Sequence, residues 1–197
     1  MVHRHRILDA DIAIWEGAEE APVSVHPCRE SIRLVSRKQE WDRVEQCLLP
    51  RYSFNDVIKN EHGQPSLLDG TFLSISHSDR YAATAISNLP IGIDIQVPHD
   101  AVFKVRNKFC HTEELRFLEN NPQDPRHLMI WCAKEAIFKI YGHGLDFAKE
   151  VKSDPFTPDS ETALFHQHSV YHKKSELIVH FIKNPLYFVA IAQIKTL

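Results

Sequence analysis

The stretch at 131–139, WCAKEAIFK, restricts the fold of this chain more than any other, because it sets charges into a helix that has no polar side. At about 100° per residue, Leu128, Trp131, Glu135, Phe138 and Lys139 fall on one arc, and that arc is mostly apolar. Ala133, Ala136, Ile137 and Ile140 cover the other side, so the segment reads as a buried helix rather than an amphipathic surface one. A carboxylate in such a place must find a cation, a metal or hydrogen-bond donors, or take up a proton. Lys139, one turn after Glu135, is the nearest partner in sequence, and a plain helix salt bridge of about 0.3–0.5 kcal/mol is the simplest reading. The alternative is a metal ligand or base beside a phosphate-binding lysine, which needs support from the rest of the chain.

The chain before this helix is mainly extended. Residues 7–15 alternate apolar with polar or small side chains and predict a first strand. From Ser31 to Pro50, Leu34, Trp41, Val44, Leu48 and Leu49 recur at helical spacing with Arg37, Lys38 and Arg43 between them. Residues 54–70, with Asn60, Gly63, Pro65 and Gly70, read as turns around short extended pieces. The runs at 72–76 and 81–87 predict a hairpin with His77 at its turn. In IGIDIQ, Ile91, Ile93 and Ile95 share one face of a strand, while Gly92, Asp94 and Gln96 share the other, with the acid expected to face outward. Gly92 leaves that face bare, so a ligand or a helix can approach the backbone there.

Val97 and Pro98 mark an expected boundary between lobes 1–97 and 98–197. Helix is expected from about Thr112, with Glu113, Glu114 and Arg116 exposed, and again from Pro125 to Tyr141, stopped by Gly142. His166, His168 and His172 read as a solvated loop. The runs at 177–181 and 187–194 predict a second hairpin. YAATAIS and YFVAIAQ are similarly patterned, which predicts an α+β fold made of two similar α/β lobes related by a pseudo-twofold. In that arrangement Asp94 of the first copy can meet the helix of the second, across a cleft suited to a ligand.

Composition narrows the partners. A net charge of -3 and no stripe of Lys and Arg argue against nucleic acid. No apolar run reaches the length of a membrane span. Four widely spaced cysteines without a CxxC pair point to reduced thiols and a cytoplasmic protein. Asp94 and Glu135 together would suit Mg²⁺, which takes one or two carboxylates and completes its shell with water and substrate phosphates. Lys139 and His77 add positive charge, which is equipment for phosphoryl-type transfer.

IGIDI, followed some forty residues later by WCAKEAIFK, with SISHS upstream, resembles the 4'-phosphopantetheinyl transferase superfamily in its longer, single-chain form. GQPSL, the Arg-bearing segment at 37–49 and FCHTEE at 109–114 extend the resemblance. It implies a Mg²⁺-dependent enzyme that moves the phosphopantetheine arm of coenzyme A onto a serine of an apo acyl or peptidyl carrier protein, releasing adenosine 3',5'-bisphosphate. It further implies Asp94 and Glu135 as metal ligands, Glu135 also as the base, and Lys139 on the pyrophosphate. His77 with Ser76, and Arg43 on the early helix, would contact coenzyme A. Two positions depart from the common pattern. Gln96 stands where many relatives carry Glu, so it would be a neutral third metal ligand, and Gln64 replaces a Lys before the proline. A monomer is expected. The competing readings are a non-catalytic coenzyme A- or carrier-binding relative and a Mg²⁺-dependent phosphodiester hydrolase.

Overall fold

A computed structural model of the protein describes residues 2–16 and 52–195. Two antiparallel sheets carry the fold. The first contains β1 (Val2–Ile7), β2 (Ala10–Glu16), β3 (Val57–Lys59), β4 (Pro65–Leu67), β5 (Phe72–Ser78) and β6 (Tyr81–Ser87), in the spatial order β1-β2-β6-β5-β4-β3. The second contains β7 (Ile91–Gln96), β8 (Val151–Ser153), β9 (Thr162–Gln167), β10 (Ser175–Lys183) and β11 (Phe188–Ile194), in the order β7-β11-β10-β9-β8. With β1 set aside, the two orders are the same: the first strand of each set pairs with the last, and the others follow in reverse. β7 lies before the boundary expected at Val97 yet pairs with β11.

Among the described residues the α-helices are α1 (Ala101–Val105), α2 (Glu114–Phe117), α3 (Arg126–Tyr141) and α4 (Phe147–Glu150). α3 packs on the second sheet through Met129, Ala133, Ala136 and Ile137 against Phe165, Val179 and Ala190. The arc Leu128, Trp131, Glu135, Phe138, Lys139 is its half-exposed side. Between the sheets, Ile91, Ile93 and Ile95 meet Ile12, Ile14, Ala83 and Ala85.

The sheets are also joined by polar contacts. β7 is an edge strand, and its outward N–H groups would be orphaned on burial. Ser74, Ser76 and Ser78 alternate along β5, and their hydroxyls accept from the N–H groups of Ile93 (3.0 Å), Ile95 (3.2 Å) and Val97 (3.1 Å).

Several expectations change. The strand expected at 7–15 is present as β2 from Ala10, and it is one arm of a hairpin that turns at Leu8 (φ 54); the other arm, β1, is polar and is held by its pairing with β2 rather than by an apolar face. His77 lies within β5, paired with Ala82, and the turn is made by Asp79 (φ 52) and Arg80. His166 belongs to β9, whose alternate residues Ala163, Phe165 and Gln167 are buried. Glu114 is 0% exposed, not a surface residue. The helix expected near 31–50 lies outside the described residues. Among the described residues, no helix is long and apolar enough to cross a membrane, and Cys110 and Cys132 are free and buried.

Candidate functional site

The site is built where β7 passes under α3. A Cβ at Gly92 would lie 1.8 Å from the carbonyl oxygen of Ala136, so only glycine lets the helix backbone sit this close to the strand. Asp94, two residues on and therefore on the same face, also points toward α3. It is 3% exposed, not outward-facing, because the helix covers it. Three donors satisfy it: Ser76 Oγ (2.7 Å) and Lys139 Nζ (2.9 Å) donate to Oδ1, and Gln96 Nε2 (2.8 Å) donates to Oδ2.

Lys139 therefore pairs with Asp94 rather than with Glu135 one turn earlier. Its Nζ also donates to the carbonyl of Ile93 at 2.7 Å. The choice follows from burial, since the more deeply buried carboxylate loses most without a cation. Lys139 keeps 26% of its side chain exposed, and two of its three ammonium protons are engaged.

Glu135 is half-buried on the same helix, one turn from Lys139. Burial and the charge of Asp94 raise its pKa, and Lys139 opposes them. It lines an open cavity of about 420 Å³ with Lys108 and the mostly apolar Val105, Phe109, Trp131, Phe138, Leu145 and Phe147. A carboxyl repelled by a neighbouring acid in a mostly apolar wall is poised either to hold a proton or to share a divalent cation.

The donor set fits Mg²⁺. Asp94, Glu135 and the Gln96 amide are hard oxygen donors. Among the described residues no group of three or more His, Cys, Asp and Glu could hold a metal, so water and phosphate oxygens would complete the shell, as Mg²⁺ favours. Gln96 turns its nitrogen toward Asp94, and presenting its oxygen to a metal requires the amide to rotate.

The other expected residues are more scattered. Ser76 is buried, its hydroxyl directed to Asp94 and Ile95 N–H. His77 is exposed on the opposite face of β5. Arg43 lies outside the described residues.

A family model described as the 4'-phosphopantetheinyl transferase superfamily matches residues 90–187, a span that holds Asp94, Glu135 and Lys139. The chain belongs to this superfamily. Similar curated proteins carry the name of that activity. The 4'-phosphopantetheinyl transferase gsp of Aneurinibacillus migulanus is 34% identical over 90 residues, 44% of this chain and 38% of the relative. Psf-1 of Bacillus pumilus is 24% identical over 94 residues, 46% of this chain and 40% of the relative. Sfp of Bacillus subtilis (strain 168) is 25% identical over 136 residues, 66% of this chain and 57% of the relative. The aligned stretches thus span roughly two fifths to three fifths of these relatives' lengths.

Lys134 in the superfamily motif reads from the sequence as either a structural pairing or a ligand contact; the structure makes it a structural pairing, with Glu114, a partner expected on the surface. Lys134, beside Glu135, is 0% exposed, and its Nζ donates to Glu114 Oε2 at 2.6 Å and to the carbonyls of Phe109 (2.9 Å), Phe147 (2.9 Å) and Val151 (2.6 Å). Glu114 accepts in addition from the N–H groups of His111 and Ser153. Phe109 and Phe147 are cavity walls, so the buried ammonium ties together the two segments that enclose Glu135. Burial pulls the Lys134 pKa down and Glu114 holds it up. The available signal was a basic residue inside an otherwise apolar helix, which implies a buried acid somewhere in the chain.

Proposed function

We propose that this protein transfers the 4'-phosphopantetheine arm of coenzyme A to a serine hydroxyl of an apo acyl or peptidyl carrier protein, with Mg²⁺, releasing adenosine 3',5'-bisphosphate. The observation that carries the reading is Glu135, its pKa raised, on the rim of a mostly apolar cavity beside the Asp94–Lys139 pair. The serine Oγ–P bond forms as the bond from that phosphorus to the bridging oxygen of the pyrophosphate breaks. Glu135 takes the serine proton, directly or through water, and a base with a raised pKa is better matched to neutral pH. Lys139 stabilises the charge that develops on the pyrophosphate leaving group. Asp94 fixes Lys139 and, with Glu135 and Gln96, would hold Mg²⁺. When bound, the cation would neutralise the pyrophosphate and polarise the phosphorus under attack. His77 and Arg43 would engage the phosphates of coenzyme A, with Ser76 holding Asp94 in place beneath.

We further propose that the two sheets, with their equal strand orders, are two copies of one α/β unit within a cytoplasmic monomer. The pairing of β7 with β11 favours a lobe boundary at 88–90 over the one at Val97. Incubation with coenzyme A, Mg²⁺ and a panel of apo carrier proteins, followed by intact mass, tests the function. Gain of a phosphopantetheine group by a carrier is the expected result. Cleavage of coenzyme A in the absence of carrier would support a hydrolase, and coenzyme A binding without any carrier modification would support a binding protein.

A further inference from the structure

Four main-chain carbonyls at the C-terminus of any α-helix lack intrahelical donors. In α3 one donor comes from the other sheet. Gln64, at the end of the loop between β3 and β4, donates from Nε2 to the carbonyls of Lys139 (3.0 Å) and Ile140 (3.4 Å). Its amide is oriented before it reaches the helix. Asn60 Nδ2 donates to Gln64 Oε1 at 2.8 Å, and Asn60 Oδ1 accepts from the N–H groups of His62 and Gln64. The helix is shaped to receive it. Gly142 ends α3 at φ 78, and a Cβ there would stand 2.4 Å from the Gln64 amide carbon. The rings of His62 and His143 add a contact at 4.5 Å between centroids.

The contact reaches the candidate site through one residue. Lys139 offers its carbonyl to Gln64 and its ammonium to Asp94, so the same residue is held at both ends from outside its helix. Gln64 and Lys139 also line a common cavity of about 400 Å³. We propose that Gln64 is a positioning residue, an amide latch by which the β3–β4 loop holds the carbonyl end of α3 and sets where Lys139 stands. The proposal depends on the transferase reading only for its effect on turnover; the latch itself is a structural claim.

The chemistry of the latch distinguishes it from packing. Gln64→Glu keeps the shape but turns acceptors toward two carbonyls. Gln64→Met keeps much of the volume and has no donor. Gln64→Lys changes the shape but restores N–H donors beside a helix C-terminus, where positive charge is favoured. Amide hydrogen exchange of the full chain, read over residues 138–144, is the direct measurement. The Met variant should exchange roughly tenfold faster there, and the Glu variant faster still, while the Lys variant recovers most of the protection. In carrier modification, the Met and Glu variants should raise the KM for coenzyme A more than they lower kcat, and Lys should rescue. Wild-type protection in both the Glu and the Met variants would overturn the latch. The exchange order holding in a protein that modifies no carrier would leave the latch standing and remove the transferase reading.

Discussion

Asp94 is a buried carboxylate that meets one cation, one hydroxyl and one amide, and this defines what its neighbours can do. Lys139→Met removes the cation while the acid stays buried, and should cost about 1.5–3 kcal/mol in urea unfolding. The double change with Asp94→Asn should recover part of that loss, since no charge is then left unpaired. His127, 2% exposed in the first turn of α3, titrates in the opposite sense from Glu135. Burial depresses its pKa, against the hydrogen bond that joins Nε2 to the carbonyl of Glu119. The unfolded chain therefore binds this proton more readily than the folded one. Its contribution to stability is present above the ordinary histidine value of 6.5 and is lost as pH falls through the lower folded value. Denaturant midpoints between pH 7 and pH 5 should fall less steeply in His127→Gln than in the wild type.

Two elements, β7 and α3, position the site, and they differ in how far the sequence announces them. α3 was readable because its apolar residues recur over 16 residues and Gly142 supplies the left-handed stop. Gly92 was readable as a place of close approach, though not which element would approach. Gly92→Ala forces a Cβ against the Ala136 carbonyl, and should destabilise by about 3 kcal/mol while separating Asp94 from Lys139. Loss of activity in excess of the unfolded fraction, with stability measured alongside, checks this. The one-turn α2 is too short for periodicity to tell its buried side from its exposed one, so Glu114 reads as exposed although its partner Lys134, 20 residues away, is buried with it. Lys134→Ala should cost about 3–5 kcal/mol, because it abandons a fully buried carboxylate. A Lys134→Met, Glu114→Leu double variant should be far closer to wild type in guanidinium unfolding.

At the scale of the molecule, the site exists because an edge strand of one sheet is sealed by the other. The alternation S-x-S-x-S in β5 was visible in the sequence, but that β7 receives it was not. Hairpins and helix ends are local facts, whereas the choice of partner among distant strands depends on the whole fold. The same holds for Lys139, which bypasses Glu135 four residues away for Asp94, 45 residues away. Ser74→Ala should orphan the buried N–H of Ile93 and cost about 1–3 kcal/mol, read by denaturant unfolding. The sameness of the two strand orders likewise emerges only when both sheets are seen complete. We propose that Glu135 acts on the acceptor hydroxyl in a site organised by Asp94 and Lys139. The most direct test is the initial rate of phosphopantetheine transfer to an apo carrier, with saturating coenzyme A and Mg²⁺, in the wild type and in Glu135→Gln. A fall of about 10²–10⁴-fold is expected in a variant that stays folded and still binds coenzyme A. A rate within about threefold of wild type would contradict this role of Glu135.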